Sequence, residues 1–405
     1  MEIKKEIAMK DEQVKTIEKN AYDVIVVGGG IAGVSAAVSS ARLGKKTLLI
    51  EKQINLGGLA TVGLISWYEP LCDGEGKQMV GGMAEELIKL SIKNGFDNLP
   101  KEWGGESGNK LHKDRYSTYF SPTFCSLSLD TFVEENGAEI LFDTYATYPV
   151  MDGNVCQGVI TENADGRSFY PAKVVIDCTG DGSIFDRAGV ETEFGENYLT
   201  YVVHETDHEK AKVYVETGDM TKLRSWKNSG SNMFGKGHPE NMGKLTARNA
   251  KEINEFISFG KRRLMQKYEG TNRLEREILT LPTMPQFRVI RRIKGAYTFT
   301  GEELGVRFED TIGSTGDFRY RGKHYHVPYR CLYNAEYPNL LAAGRIVSAV
   351  GDGMEVLRVI PSCALTGQAA GIAASLAIDD DVSVANVNVS ELQKQLKERN
   401  ALFED

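Results

Sequence analysis

No run of apolar residues in this 405-residue sequence reads as long enough to cross a bilayer, which takes about 20 residues. No membrane partner is therefore expected. Cysteine is scarce, with six residues at 72, 125, 156, 178, 331 and 363. None forms a C-x-x-C pair, so neither a disulfide framework nor a metal site is expected. Buried free thiols in a reducing cytoplasm are the expectation. Excess positive charge is missing too. A net charge of −8 provides no general basic field, so no nucleic-acid partner is expected. The local clusters Lys261-Arg262-Arg263 and Arg291-Arg292 with Lys294 read as solvated faces or substrate-domain contacts. The opening stretch, MEIKKEIAMKDEQVKTIEK, lacks the apolar segment of a signal peptide. It is expected as an added strand or a frayed helix.

What is present centres on Tyr22 to Glu51. An apolar run, Val24 to Val27, predicts a buried parallel strand. Gly28, Gly30 and Gly33 follow in G-x-G-x-x-G spacing, then a helix carrying Ala36, Ala37 and Ala41 that ends at Gly44. A second strand, Thr47 to Ile50, delivers Glu51. In such a unit the first glycine permits the tight turn, the second lets backbone approach a pyrophosphate, and the third lets helix and strand pack closely. The helix start, at Ile31 and Ala32, offers unpaired N–H groups and a positive dipole end to phosphate. Glu51, eighteen positions past Gly33, can accept hydrogen bonds from ribose hydroxyls. An acid there favours FAD or NAD over a ribose bearing a 2′-phosphate.

The next loop, Gly57-Gly58-Leu59-Ala60-Thr61-Val62-Gly63, leaves the strand that carries Glu51 and Lys52. Together with the fingerprint it resembles the FAD-dependent oxidoreductase family, which shares the FAD fold of glutathione reductase and fumarate reductase. The resemblance implies FAD contacts at Lys52, Gly57, Gly58, Leu59, Ala60 and Thr61. Disulfide reductases carry a redox C-x-x-x-x-C in this loop; this sequence carries none, which argues against dithiol chemistry. A helix from Met83 to about Asn94 follows, and then a polar, glycine-rich stretch from Phe96 to Ser121 expected to loop over the active site. Thr123 to Asn136 reads as a helix stopped by Gly137.

Short strands at Glu139–Phe142, Tyr145–Val150, Val155–Thr161 and Ser168–Tyr170 read as a meander, with Ala146 beside the adenine. Another strand, Lys173 to Asp177, leads into Thr179-Gly180-Asp181, which resembles the second FAD signature of these flavoproteins. From residue 190 to about 335 the Rossmann pattern stops; a long helix is expected from about Lys244 to Lys267. The resemblance returns at Phe287 and continues through Asp310-Thr311-Ile312 to His326-Val327-Pro328-Tyr329-Arg330. Alternation in an extended chain would place His326 and Arg330 on one face and Tyr329 on the other.

The block from Asn339 to about Ala377 resembles the family's C-terminal FAD segment, which implies FAD contacts at Gly344, Arg345, Asp352, Ser362 and Cys363. Pro361 suits a helix start, and that helix end would face the flavin. Gly351 stands where family members often carry a histidine. A last surface helix is expected over residues 388 to 400.

The fold expected is α/β: a Rossmann-like FAD-binding domain with a β-meander crossover and an inserted mixed α+β substrate domain. The boundaries expected are 21–190 and 336–405 for FAD binding and 191–335 for the insertion. Only one dinucleotide fingerprint is present, so the flavin is expected to be reduced by the substrate or by a separate electron donor, with a separate acceptor where the direction requires one. The function expected is an FAD-dependent oxidoreductase moving a hydride between a small polar metabolite and flavin N5; the alternative is an electron-transfer subunit working with a partner protein. Oligomeric state, including a homo-oligomer, is left open. Arg358 is expected to grip an anionic substrate group, as the fumarate reductase-like block implies. Among His326, His324, His238 and His204, His326 is the favoured base, with Tyr329 and Arg330 beside it.

Overall fold

The computed structural model describes residues 13–106, 110–232 and 234–401. Of the opening stretch, residues 1–12 lie outside the described residues, while Ile17–Glu18 form a short added strand. The fingerprint unit folds as its spacing predicts, into β1 (Tyr22–Val27), α1 (Ile31–Arg42) and β2 (Thr47–Ile50). Further along come β3 (Glu139–Leu141), β4 (Tyr145–Asp152), β5 (Val155–Asn163), β6 (Gly166–Asp177) and β7 (Leu340–Ala342). A long helix, α2 (Ile360–Asp379), closes the unit.

Five segments form a parallel sheet in the order β3, β2, β1, the last half of β6, and β7. Its two faces are both buried, which is why β1 reads as an unbroken apolar run. Val24 and Val26 face one core with α1 and α2, while Ile25 and Val27 face another with Val159 and Tyr170 of the meander. One strand serves both sheets. The sequence suggests two strands, at Ser168–Tyr170 and Lys173–Asp177, but β6 runs unbroken through Pro171. Gly158 pairs with Pro171 at the end of the antiparallel β5 ladder, and Tyr22 pairs with Ala172 at the start of the parallel β1 ladder. Proline lacks a donor, and it falls where the pairing changes partner.

The helix α2 corrects the reading that no segment reaches membrane-spanning length. Its 20 residues are long and apolar enough to cross a bilayer, yet 89% of the apolar window is buried inside the protein. A helix apolar all round is what a central position demands. It packs on α1 along a seam of small residues. A Cβ on Gly367 would stand 2.2 Å from the Ala32 carbonyl oxygen, and one on Gly371 would stand 2.3 Å from that of Ala36.

The inserted region builds its own sheet from Val202–Asp207, Ser225–Asn228 and Arg276–Thr280, covered by the helix Ala250–Tyr268. That helix begins six residues later than its apolar pattern suggests, because Asn249 caps it by accepting the Glu252 N–H at 3.0 Å. Its own core gathers Leu199, Leu245, Ala247, Phe256 and Phe287, whereas Phe299, Ile312, Val327 and Tyr329 join the core beneath α2. The hairpin of Thr311–Gly316 and His324–Pro328 therefore belongs with the cofactor unit by packing. Strand alternation stops at Pro328, since Tyr329–Cys331 is a 3-10 turn. The expected shared face of His326 and Arg330 does not form. All six cysteines are buried and unpaired.

Candidate active site

Four of the five segments of the parallel sheet, all but the edge strand β3, end at one cavity of about 480 Å³. Gly28 follows β1, Glu51 follows β2, Cys178 follows β6 and Ala343 follows β7, and all four line it. This is the crevice outside the carboxyl ends of the strands, where ligands of open α/β sheets bind.

The fingerprint residues take up their separate duties. Gly28 has a φ of +99°, and a Cβ on Gly33 would stand 1.8 Å from the Gly28 carbonyl oxygen. Gly33 thus packs helix on strand and does not line the cavity. Gly30, Ile31 and Ala32 do line it, and a Cβ on Gly30 would meet nothing. No side chain caps α1, so its first-turn N–H groups are available to an anion. Glu51 is 7% exposed; its carboxylate accepts the Gly29 N–H at 2.5 Å and the Gln53 N–H at 2.8 Å. Burial pushes its pKa up, while those hydrogen bonds and the Lys52 charge act the other way. Each oxygen keeps a lone pair for a ribose hydroxyl.

Gly57, Gly58, Leu59 and Ala60 form one wall. Thr61 does not: it is buried, and its hydroxyl donates to the Leu56 carbonyl. A smaller pocket continues past Glu51 and Lys52 to Tyr145, Ala146, Asp181 and Ser183. Thr179 and Gly180 line the main cavity. Their turn is held by Asp177, which sequence reasoning treated only as a strand end. Its buried carboxylate accepts from the Thr179 N–H (3.0 Å) and hydroxyl (2.6 Å), and from the Ile184 and Phe185 N–H groups at 3.1 and 3.2 Å. Burial pushes that carboxyl up to about 6.

From the C-terminal block, Gly344, Arg345, Arg358 and Cys363 reach the cavity. Ser362 does not; it is buried, donating to the Val356 carbonyl at 2.7 Å. Asp352 pairs with Arg319 at 2.7 Å, away from the cavity. Arg345 lies against Gly180 and donates to the carbonyls of Phe287 and Arg288 at 2.8 and 3.0 Å.

Val62, Ile65, Trp67, Trp226, Met284 and Phe318 also line the cavity. Trp226 donates its indole N–H to the Leu64 carbonyl at 2.6 Å, and Tyr119 bridges Trp226 to Trp67, 4.2 Å from the latter between ring centres. The glycine-rich stretch of 96–121 thus backs a cavity wall through Tyr119; its residues 107–109 lie outside the described residues. So do three charged groups: Glu69, Arg288 and Arg358. Burial pushes the Glu69 carboxyl up to about 7, against a hydrogen bond from Trp67 and the charge of Arg115. Arg358 is paired with Glu355.

Sequence reasoning found Arg358 but neither Glu69 nor Arg288. Both stand in stretches with no spacing motif, Trp67-Tyr68-Glu69 and Phe287-Arg288-Val289. The residues favoured as base and partners lie elsewhere. His326 is 2% exposed, its Nδ1 2.9 Å from the Ser314 hydroxyl. Tyr329 donates to the Val384 carbonyl at 2.7 Å, and Arg330 pairs with Asp310 at 3.0 Å. None of the three lines the cavity, and neither do His204, His238 or His324.

Comparison with known proteins agrees with this geometry. The family model described as FAD dependent oxidoreductase matches residues 23–255 and 199–396. The chain is 32% identical over 183 residues to the tRNA uridine 5-carboxymethylaminomethyl modification enzyme MnmG of Lactobacillus johnsonii, covering 40% of this chain and 24% of that protein. It is 28% identical over 185 residues to the digeranylgeranylglycerophospholipid reductase of Picrophilus torridus, covering 42% of each. The chain thus spans less than half the length of these curated relatives. A solved structure, the geranylgeranyl bacteriochlorophyll reductase-like protein of Thermoplasma acidophilum, aligns over 95% of this chain and 85% of its own at 16% identity, with a TM-score of 0.48. With a fingerprint crevice at the strand ends and a family model matched along almost its whole length, the chain belongs to the FAD dependent oxidoreductase family.

Proposed function

We propose that this enzyme moves a hydride between a carbon of a small polar metabolite and N5 of its FAD. One observation carries the reading: a single cavity is lined both by the fingerprint crevice and by Trp67, Trp226 and Phe318 with Glu69, Arg288 and Arg358. When bound, FAD supplies the two-electron chemistry. The chain binds and orients it. The first turn of α1 takes the pyrophosphate, Glu51 the ribose, and Arg345 with the Thr179-Gly180 turn closes over the phosphates. The Gly57–Ala60 wall and the uncapped start of α2 flank the remainder.

Glu69, in place of His326, holds the proton that leaves or enters the substrate. A carboxyl near neutrality can both accept and return a proton, and one kept from water by aromatic walls is poised that way. The aromatic rings also exclude water from the reacting carbon. With a single dinucleotide fingerprint in the chain, a separate donor or acceptor completes the cycle.

The test is anaerobic bleaching of the flavin absorbance by individual metabolites. The expected result is bleaching by at least one, slowed about 100-fold in Glu69→Gln, within the usual range for a lost general base. A flavin that dithionite bleaches and no metabolite does would refute the reading.

A further inference from the structure

Among the described residues no side chain or carbonyl pairs directly with the Arg288 guanidinium, although the residue lines the cavity. The other arginines of the cavity are engaged, Arg358 with Glu355 and Arg345 with two carbonyls. Nor is Arg288 loosely placed. Its N–H donates to the Asn197 side chain at 2.9 Å and its carbonyl accepts from Arg345 at 3.0 Å, so the side chain projects from a fixed frame. Burial lowers its pKa to about 10, with the Arg358 charge pushing the same way and Glu355 the other, so it stays charged at neutral pH.

A second guanidinium, Arg358, stands close by and is itself paired with Glu355, so an entering anion would find its counter-charge in Arg288. For the pyrophosphate the chain offers other partners, the start of α1 and the Gly180 turn, where Arg345 lies, while Arg288 stands within reach of the charge of Arg358, itself 6.0 Å from the Phe318 ring. The same cavity offers the apolar surfaces of Met284, Phe318 and Trp226. We propose that Arg288 anchors a carboxylate on the substrate, so that the substrate is a carboxylic acid with an apolar or flat body. A guanidinium fork matches a carboxylate through two parallel hydrogen bonds. The inference rests on the reading that the aromatic-lined part of the cavity receives the substrate.

The test uses benzoate as probe and benzyl alcohol as its uncharged counterpart on the FAD-loaded protein. Binding is read twice, from the flavin absorbance band and from tryptophan fluorescence, since Trp67 and Trp226 both line the cavity. Benzoate is expected to perturb both signals. Arg288→Gln should weaken benzoate at least about 10-fold, as expected for a charged hydrogen bond, and leave benzyl alcohol within about twofold. Arg288→Lys should recover part of the loss, and retained flavin colour reports folding in each variant. Equal benzoate affinity in wild type and Arg288→Gln would overturn the anchor and leave that reading standing. Silence from both probes in wild type would overturn the anchor together with that reading. Loss of FAD from Arg288→Gln with benzoate affinity intact would assign the arginine to the cofactor. Tighter binding of phenyl phosphate than of benzoate would overturn the carboxylate.

Discussion

Glu69→Gln should make the protein more stable at alkaline pH, and by a calculable amount. In the folded chain the Glu69 carboxyl is raised to about 7 from its ordinary 4.5, chiefly by burial. Between those values the folded state holds a proton that the unfolded chain has released. Stability therefore falls as pH rises through that window, and the cost is complete above it. At about 1.4 kcal/mol per pH unit, the gap amounts to about 3 kcal/mol in full. Glutamine keeps the shape and the acceptor for Trp67 but cannot ionise. Chemical denaturation of both proteins at saturating FAD, from pH 5 to pH 8, removes the titrations they share. The advantage of the variant should grow by about 2.5 kcal/mol over that range. A difference that stays constant with pH, or shrinks as pH rises, would refute the claim that a buried, proton-holding carboxyl sits in this cavity.

Other outcomes follow from single contacts. Gly371→Ala puts a methyl group 2.3 Å from the Ala36 carbonyl oxygen; parting α1 from α2 should cost about 1–3 kcal/mol, read as a lower Tm. Glu51→Gln sets an amide N–H₂ against the backbone N–H of Gly29 or Gln53. Leaving a buried donor unmatched costs about 1–3 kcal/mol, and FAD retention on ultrafiltration should fall by about tenfold or more. His326→Gln disturbs the pair with Ser314 at a position that does not line the cavity; thermal stability should drop by about 1 kcal/mol, while the rate of anaerobic flavin bleaching stays near wild type.

The cofactor half is legible in the sequence because its constraints are local. A turn that needs Gly28, a contact of 1.8 Å that only Gly33 tolerates, and an acid at the tip of the next strand must recur at short spacing. The C-terminal block is legible for a similar reason, since small residues on α2 must repeat to let two helices touch. Thr61, Ser362 and Asp352 sit in those same blocks and serve packing or surface pairing instead, because adjacency in sequence does not say which way a side chain points.

The sequence alone therefore determined the nucleotide crevice and the kind of coenzyme it takes. The tertiary structure alone decided what lines the rest of that cavity. Trp67 and Glu69 arrive from a short strand and its end, Trp226, Met284 and Arg288 from the inserted region, and Phe318 and Arg358 from two further segments. Such a wall leaves no spacing to read, since its members are neighbours only after the insertion has folded back over the strand ends. His326 has a suitable position in the chain but lies in the core, because its hairpin strand is buried on both faces from Tyr325 to Pro328.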